Sequence, residues 1–490
     1  MMQTLDSFTP LAIILVSAAA VLPISLSGKN PNLREFWTFV AGFLKLALLL
    51  TLVTPILNGQ TIQFKLCEVL PDLSLLHFNV DAFGLLFALV ACILWIPTSL
   101  YCIGYMRGLK EHAQTRFFAC FALALSATAG VAFAGNLLTL YMFYEILSLS
   151  TFPLVTHHQD AEARTGGRKY LTHLLVTSIG FVLPAMIITY SLTGTLEFST
   201  DGIYGETAKP GMLLVLLLLF LYGFAKSGLM PLHSWLPGAM VAPTPVSALL
   251  HAVAVVKVGV FCNLRVITGI FGTDLLSQTV LSTVVCVIAG VTVILSSLIA
   301  LSQDNLKRRL AFSTVGQLSY IILGAGLAHS YGVKGAMLHI SMHAFGKITL
   351  FMCAGAIFVA SGKKYISQMV GLGRVMPVTF GAFLIGALSV TGLPPAGGFI
   401  SKWLLLKGTI ASGQWVMMLV LLGSSLLNAA YFFPIVYQAF FGNSADNDNQ
   451  GIKEAPMACT IPLCLTAFIS LVLFVYPEPF LTLATLFVKE

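Results

Sequence analysis

GMLLVLLLLFLYGFAKSGLMPLHSWLPGAMVAPTPVSALLHAVAVVKVGVFCNLR, residues 211–265, decides how the rest of the chain is read. It starts as a nearly pure leucine run and carries Lys226 into the apolar phase. Gly228, Pro231 and Pro237 then interrupt the helix, because proline has no amide donor and clashes with the preceding turn. A second apolar helix begins near Pro243 and Pro245 and holds His251 and Lys257. A lysine at mid-membrane costs about 2.5–3.5 kcal/mol on insertion scales, so two of them beside a break mark an ion or proton path. Interrupted helices at that depth persist only inside protein or along a wet cavity.

Composition agrees with this reading. Of the 490 residues, 57% are hydrophobic and only 9% charged, with a mean hydropathy of +0.91. Soluble domains carry about 25% charged residues, so the chain is a polytopic membrane protein. Its net charge of +7 bears on topology, and no nucleic-acid partner is implied. Nine cysteines without a CxxC pair support neither a disulfide framework nor a metal cluster. The apolar run from Leu11 lacks a preceding basic region and reads as a first span, not a cleaved leader.

Apolar runs long enough to cross a bilayer number about fourteen. The longest polar stretches between them are 58–79, 195–210 and 442–455. Fifteen of the 26 basic residues fall in loops after odd-numbered spans and six on the opposite side, which places both termini outward. Arg265 is counted with the outward six. Lys45, Lys226, Lys257, Lys347 and Lys402 remain at membrane depth, against one central carboxylate, Glu145. A second interruption, SVTGLPPAGGFISKWLLLKG at 389–408, sets Pro394, Pro395, Gly397 and Gly398 beside Lys402. Its 176-residue offset from Lys226 holds five spans, so the second copy is inverted, as in many transporters.

Glu145 lies among Tyr141, Tyr144, Ser148 and Ser150 and must be protonated or paired with a cation. Lys226 is the expected partner: burial disfavours its charge and a carboxylate favours it, so a small movement can load or release a proton. His339, His343 and Lys347 follow i, i+4, i+8 spacing and share one helical stripe. With a lysine as third group and no carboxylate, that stripe suits proton relay better than a metal. His251 lies six residues before Lys257, or 240° around an ideal helix, and is at most an accessory group. His157 and His158 read as solvated loop residues, Lys45 has no evident partner, and the GAG and GLG runs match no phosphate-binding context.

Five segments in order, FYEILSLSTFPLV, GFAKSGLMPLHSWLPGAMVAPTPVSALLH, QDNLKRRLAFSTVGQLSY, HISMHAFGKITLF and GLPPAGGFISKW, resemble the antiporter-like membrane subunits of respiratory complex I, membrane-bound hydrogenases and Mrp-type cation/proton antiporters. The resemblance covers residues 80–440 and is strongest to the D-type member of the Mrp antiporters. It implies an all-α polytopic protein with broken helices at spans 7 and 12. The expected layout is spans 1–3 in 1–110, a five-helix repeat in 111–270, its inverted copy in 271–441, and a loop with helix 14 in 442–490. It implies a proton relay through Glu145, Lys226, Lys257, His339, His343, Lys347 and Lys402, in a proton-translocating subunit of a sodium/proton antiporter or, alternatively, of an NADH:quinone oxidoreductase or hydrogenase. Its partners would be other membrane subunits, protons, sodium ions and the bilayer of a bacterial plasma membrane. The chain has no quinone, flavin or iron–sulfur motif, so no cofactor or metal is expected in it.

Overall fold

The computed structural model describes residues 4–70, 73–205, 209–443, 449 and 451–488. Much of the 442–455 loop therefore lies outside the described residues. In chain order the principal elements are β1 Thr4–Asp6, α1 Thr9–Leu26, α2 Pro31–Leu57, β2 Thr61–Leu70, β3 Leu73–Val80, α3 Ala82–Gly108, α4 Gln114–Phe133, α5 Leu137–Val155 and α6 Ala161–Thr193. There follow α7 Pro210–Gly223, α8 Val246–Phe271, α9 Leu281–Ser302, α10 Leu306–Gly326, α11 Ser330–Ser361, α12 Pro377–Thr391, α13 Gly398–Ala411, α14 Trp415–Phe441, α15 Met457–Val475 and α16 Glu478–Phe487.

The helix starts follow from local chemistry. Asn30, Asp81, Asn136, Asp160 and Asn305 each accept a hydrogen bond from the amide three residues on. Each such cap contributes about 1 kcal/mol by satisfying an amide the helix leaves free. Proline opens α7 and α12, where a missing amide costs nothing.

Eleven helical stretches are long and apolar enough to cross a membrane, against the fourteen expected. The other three expected positions fall on α7, α10 and α12. α7 and α12 have 14 and 15 residues, short of the roughly 20 a full crossing needs. α10 opens with Lys307, Arg308 and Arg309 and is more polar. The helices differ in enclosure. The apolar window of α8 is 100% buried within the protein and that of α3 83%, whereas α1, α2 and α14 bury only 33% of theirs. α3, α8 and α11 thus form the interior, and the outer helices keep apolar faces for lipid or partner chains.

The all-helical expectation needs one amendment. Residues 58–79, read as a polar stretch, contain a hairpin of β2 and β3 with β1 added parallel to β2. Its register pairs Ile62 with Val80 and Phe64 with Phe78. The period-two alternation of Ile62, Phe64, Phe78 and Val80 was the available signal.

Next to the sheet, Arg265 is not a loop residue. It is buried near the end of α8 and holds Asp81, at the start of α3, through two bonds of 2.5 and 2.9 Å. The rings of Phe83, Phe198, Phe261 and Phe487 surround its guanidinium at 5.0–5.6 Å. A planar, weakly hydrated fork suits this apolar socket, which a lysine would not fill.

Candidate functional site

α7 ends at Gly223, three residues before Lys226, so the lysine sits inside the interruption in a single tight turn, Ala225–Ser227. Gly228 leaves that turn with φ +71°, a conformation open to glycine. The backbone groups freed by the break find partners. Trp235 Nε1 donates to the Ala225 carbonyl at 2.9 Å, and the Lys226 amide donates to the Tyr144 hydroxyl at 3.2 Å. α8 presses directly on this turn at Gly259, where any Cβ would run into the backbone of Lys226 and Ser227.

Lys226 is wholly buried but does not bond Glu145 directly. Its ammonium donates to the Tyr144 carbonyl and the Ser148 hydroxyl, both at 2.7 Å, and lies 3.1 Å from the Tyr144 ring centre. These acceptors flank Glu145 on α5. Both carboxylate oxygens of Glu145 are buried and without a hydrogen-bond partner among the described residues. The expected direct pair is therefore not made; Lys226 is instead held by the turn of α5 that contains Glu145.

Lys257 lies on the other side of Gly259 and reaches α11. Its Nζ is 2.6 Å from His343 Nδ1, with both groups buried. An ammonium offers only donors, so a charged Lys257 requires an accepting Nδ1 and a neutral ring protonated at Nε2. At this distance Lys257 and His343 Nδ1 cannot both carry the proton that lies between them when Lys257 is charged.

The stripe on α11 continues from there. His343 stacks on His339 at 5.6 Å. His339 bonds Ser401 at 2.8 Å through Nδ1 and Gln317 at 3.0 Å through Nε2. Tyr320 stacks on His339 at 5.7 Å and lies 4.6 Å under the Lys402 ammonium. Lys402 itself donates to the Thr391 carbonyl, at the end of α12, and to Ser425. Gly392, at φ +84°, lets the chain turn there against the lysine stem. Lys347 lies over the Phe432 ring at 5.5 Å, and its Nζ has no hydrogen-bond partner among the described residues.

The structure thus joins Lys257, His343, His339 and Lys402 through Ser401 and Tyr320, and keeps Lys226 with Glu145 in a second group. His251 belongs to neither. It packs 6.3 Å from Tyr170 and Trp235, on a π-helical stretch of α8, Val246–Ala254, which alters the 240° spacing assumed for an ideal helix. Lys45 bonds Ser17 and the Leu125 carbonyl and so ties α2 to α1 and α4. Gln317 and Ser401 were not singled out in the sequence; each is a polar residue within a motif otherwise read for its lysines and glycines. His157 is fully buried, contrary to the solvated reading, and among the described residues it forms with Glu111 and His112 the one group able to hold a metal ion.

Residues 134–428 match the family described as NADH:quinone oxidoreductase/Mrp antiporter, TM. The chain belongs to this family. It is 34% identical over 353 residues to NADH-quinone oxidoreductase subunit N of Desulforudis audaxviator, covering 70% of this chain and 68% of that one. It is 31% identical over 448 residues to Na(+)/H(+) antiporter subunit A1 of Staphylococcus aureus, covering 86% of this chain and 54% of the relative. The chain thus spans about half the length of that antiporter subunit. Its fold matches a chain of the Mrp complex from Dietzia sp. DQ12-45-1b with a TM-score of 0.86, at 21% identity over 98% of this chain and 96% of the other.

Proposed function

We propose that this chain is the proton-translocating subunit of a multisubunit sodium/proton antiporter, with the D-type member of the Mrp antiporters as its counterpart. Protons pass between Lys226, biased by Glu145, and the row Lys257, His343, His339 and Lys402. Lys347 supplies a further station, and His251 lies off the path. The observation that carries this reading is the 2.6 Å contact of Lys257 with His343. It links a titratable group of the first proposed repeat, 111–270, to one of the second, 271–441, with a single proton between them.

The protein acts as a transporter subunit of a larger membrane complex. It sits in a bacterial plasma membrane with both termini outward, among other membrane subunits that cover the apolar faces of α1, α2 and α14. A second reading rests on the oxidoreductase relative, 34% identical: the same relay would serve a proton-pumping subunit of an NADH:quinone oxidoreductase, with all redox centres on partner chains. Purification of the native complex separates the two, small membrane subunits favouring the antiporter and flavin- or cluster-bearing subunits the oxidoreductase. In vesicles holding the assembled complex, Lys347→Ala should abolish sodium-driven proton exchange. Wild-type exchange per assembled complex in that variant would overturn the relay.

A further inference from the structure

A cluster apart from the proposed relay joins two helix connections. Glu111 and His112 lie between α3 and α4; His157 and His158 lie in the turn between α5 and α6. One ligand atom each from Glu111, His112 and His157 falls within 4.8 Å of the others. The Glu111 Oε2 atom is 3.7 Å from His157 Nε2 and 3.5 Å from His158 Nδ1. Tetrahedral zinc, with bonds of about 2.0–2.1 Å to nitrogen and oxygen, sets its ligand atoms about 3.3–3.4 Å apart. The side chains are therefore within small rotations of a coordinating arrangement.

His157 supplies an independent sign. Its ring is completely buried, and neither nitrogen has a hydrogen-bond partner among the described residues. A buried polar group left unpaired costs about 1–3 kcal/mol. An imidazole with no other partner offers a ring nitrogen to a cation. The loop that presents Glu111 is fixed independently: the Gln114 side chain donates to the Glu111 carbonyl at 3.0 Å and to the Met106 carbonyl at 3.3 Å. The Arg116 guanidinium points at the His157 carbonyl, 3.1 Å away, and opposes a cation; the Glu111 carboxylate offsets it.

We infer that Glu111, His112 and His157 form a binding site for a zinc-class divalent cation, with His158 or water completing the shell. Two imidazoles and one carboxylate select borderline ions such as zinc over magnesium or calcium, which prefer all-oxygen shells. A bound ion ties the α3–α4 connection to the end of α5. Glu145 lies 12 residues up that helix, about 18 Å at 1.5 Å per residue. The metal would thus fasten the helix that carries the carboxylate.

The test titrates zinc into the chelator-stripped, purified complex and counts metal per chain by elemental mass spectrometry. Wild type should bind one zinc ion per chain with micromolar affinity. Glu111→Gln and His112→Gln should each weaken binding about tenfold or more. His112 is exposed, so its variant keeps the fold and separates ligand loss from misfolding. Zinc should also raise the unfolding temperature of wild type more than that of either variant. No saturable binding, or equal affinity in wild type and both variants, would overturn the site.

Discussion

Gly259→Ala is the sharpest single perturbation of the first lysine site. The new methyl carbon would fall on the Ser227 nitrogen and the Lys226 carbonyl carbon, and 2.8 Å from Lys226 Cβ. Favourable carbon contacts lie at about 3.5–4.0 Å, so the turn at Ala225–Ser227 must shift by about an ångström. Its nearest atoms are backbone and cannot rotate away. Overpacking of this kind costs about 1–3 kcal/mol. The shift also stretches the two 2.7 Å bonds of the Lys226 ammonium, and hydrogen bonds to charged groups contribute about 1.5–3 kcal/mol each. For transport, a displacement of about 1 Å at a reacting group can cost about 100-fold. The assay is ion exchange in vesicles, normalised to assembled complex on native gels, with Gly180→Ala as control because a Cβ there meets nothing within 4 Å. Gly259→Ala should assemble less stably and exchange far more slowly, and Gly180→Ala should match wild type. Wild-type exchange in Gly259→Ala would refute the claim that α8 positions Lys226.

Other substitutions divide the protein into path and frame. Glu145→Gln keeps the side-chain volume but removes the charge beside Lys226; exchange should fall at least about tenfold, or about 1.4 kcal/mol, with assembly unchanged. Arg265→Ala leaves the partly exposed Asp81 with only its Gly84 cap bond, so unfolding of the purified chain should become easier by about 1.5–3 kcal/mol, and unaltered stability would show that the clasp contributes little. Lys45→Ala removes the ties to the Leu125 carbonyl and Ser17 and should lower the unfolding temperature, while exchange per folded complex stays near wild type. Ser401→Ala removes the partner of His339 Nδ1 and should slow exchange without loss of assembly.

Five of the six buried lysines, all but Lys334 in α11, were legible in the sequence because each charge in an apolar run carries a cost that packing alone does not explain. All five are buried in the structure. Proline and glycine likewise marked both interruptions. The Lys226 acceptors were not legible. Charge logic favours a carboxylate, but a backbone carbonyl and a hydroxyl one turn apart on α5 satisfy an ammonium equally well. Lys45 and Arg265 gained their roles from helices 80 and 184 residues away, contacts that no local pattern encodes. His157 looked like a loop residue beside polar neighbours; the α3–α4 connection that buries it begins some 45 residues earlier. The small sheet was hidden because charged and apolar residues alternate within a stretch that reads as polar on average.

The most direct measurement of the central claim is proton-coupled exchange by assembled complexes carrying Lys257→Met, beside Lys45→Met. Methionine preserves most of the apolar stem at both buried positions and removes the proton-binding amine. Replacing a buried charge by an apolar group of similar volume is often neutral for stability, so the comparison reads function. Lys257→Met should lose exchange, because His343 Nδ1 then has no proton to share, while Lys45→Met retains it. Exchange at the wild-type rate in Lys257→Met, or equal losses in both variants that track assembly, would contradict a relay through Lys257 and His343.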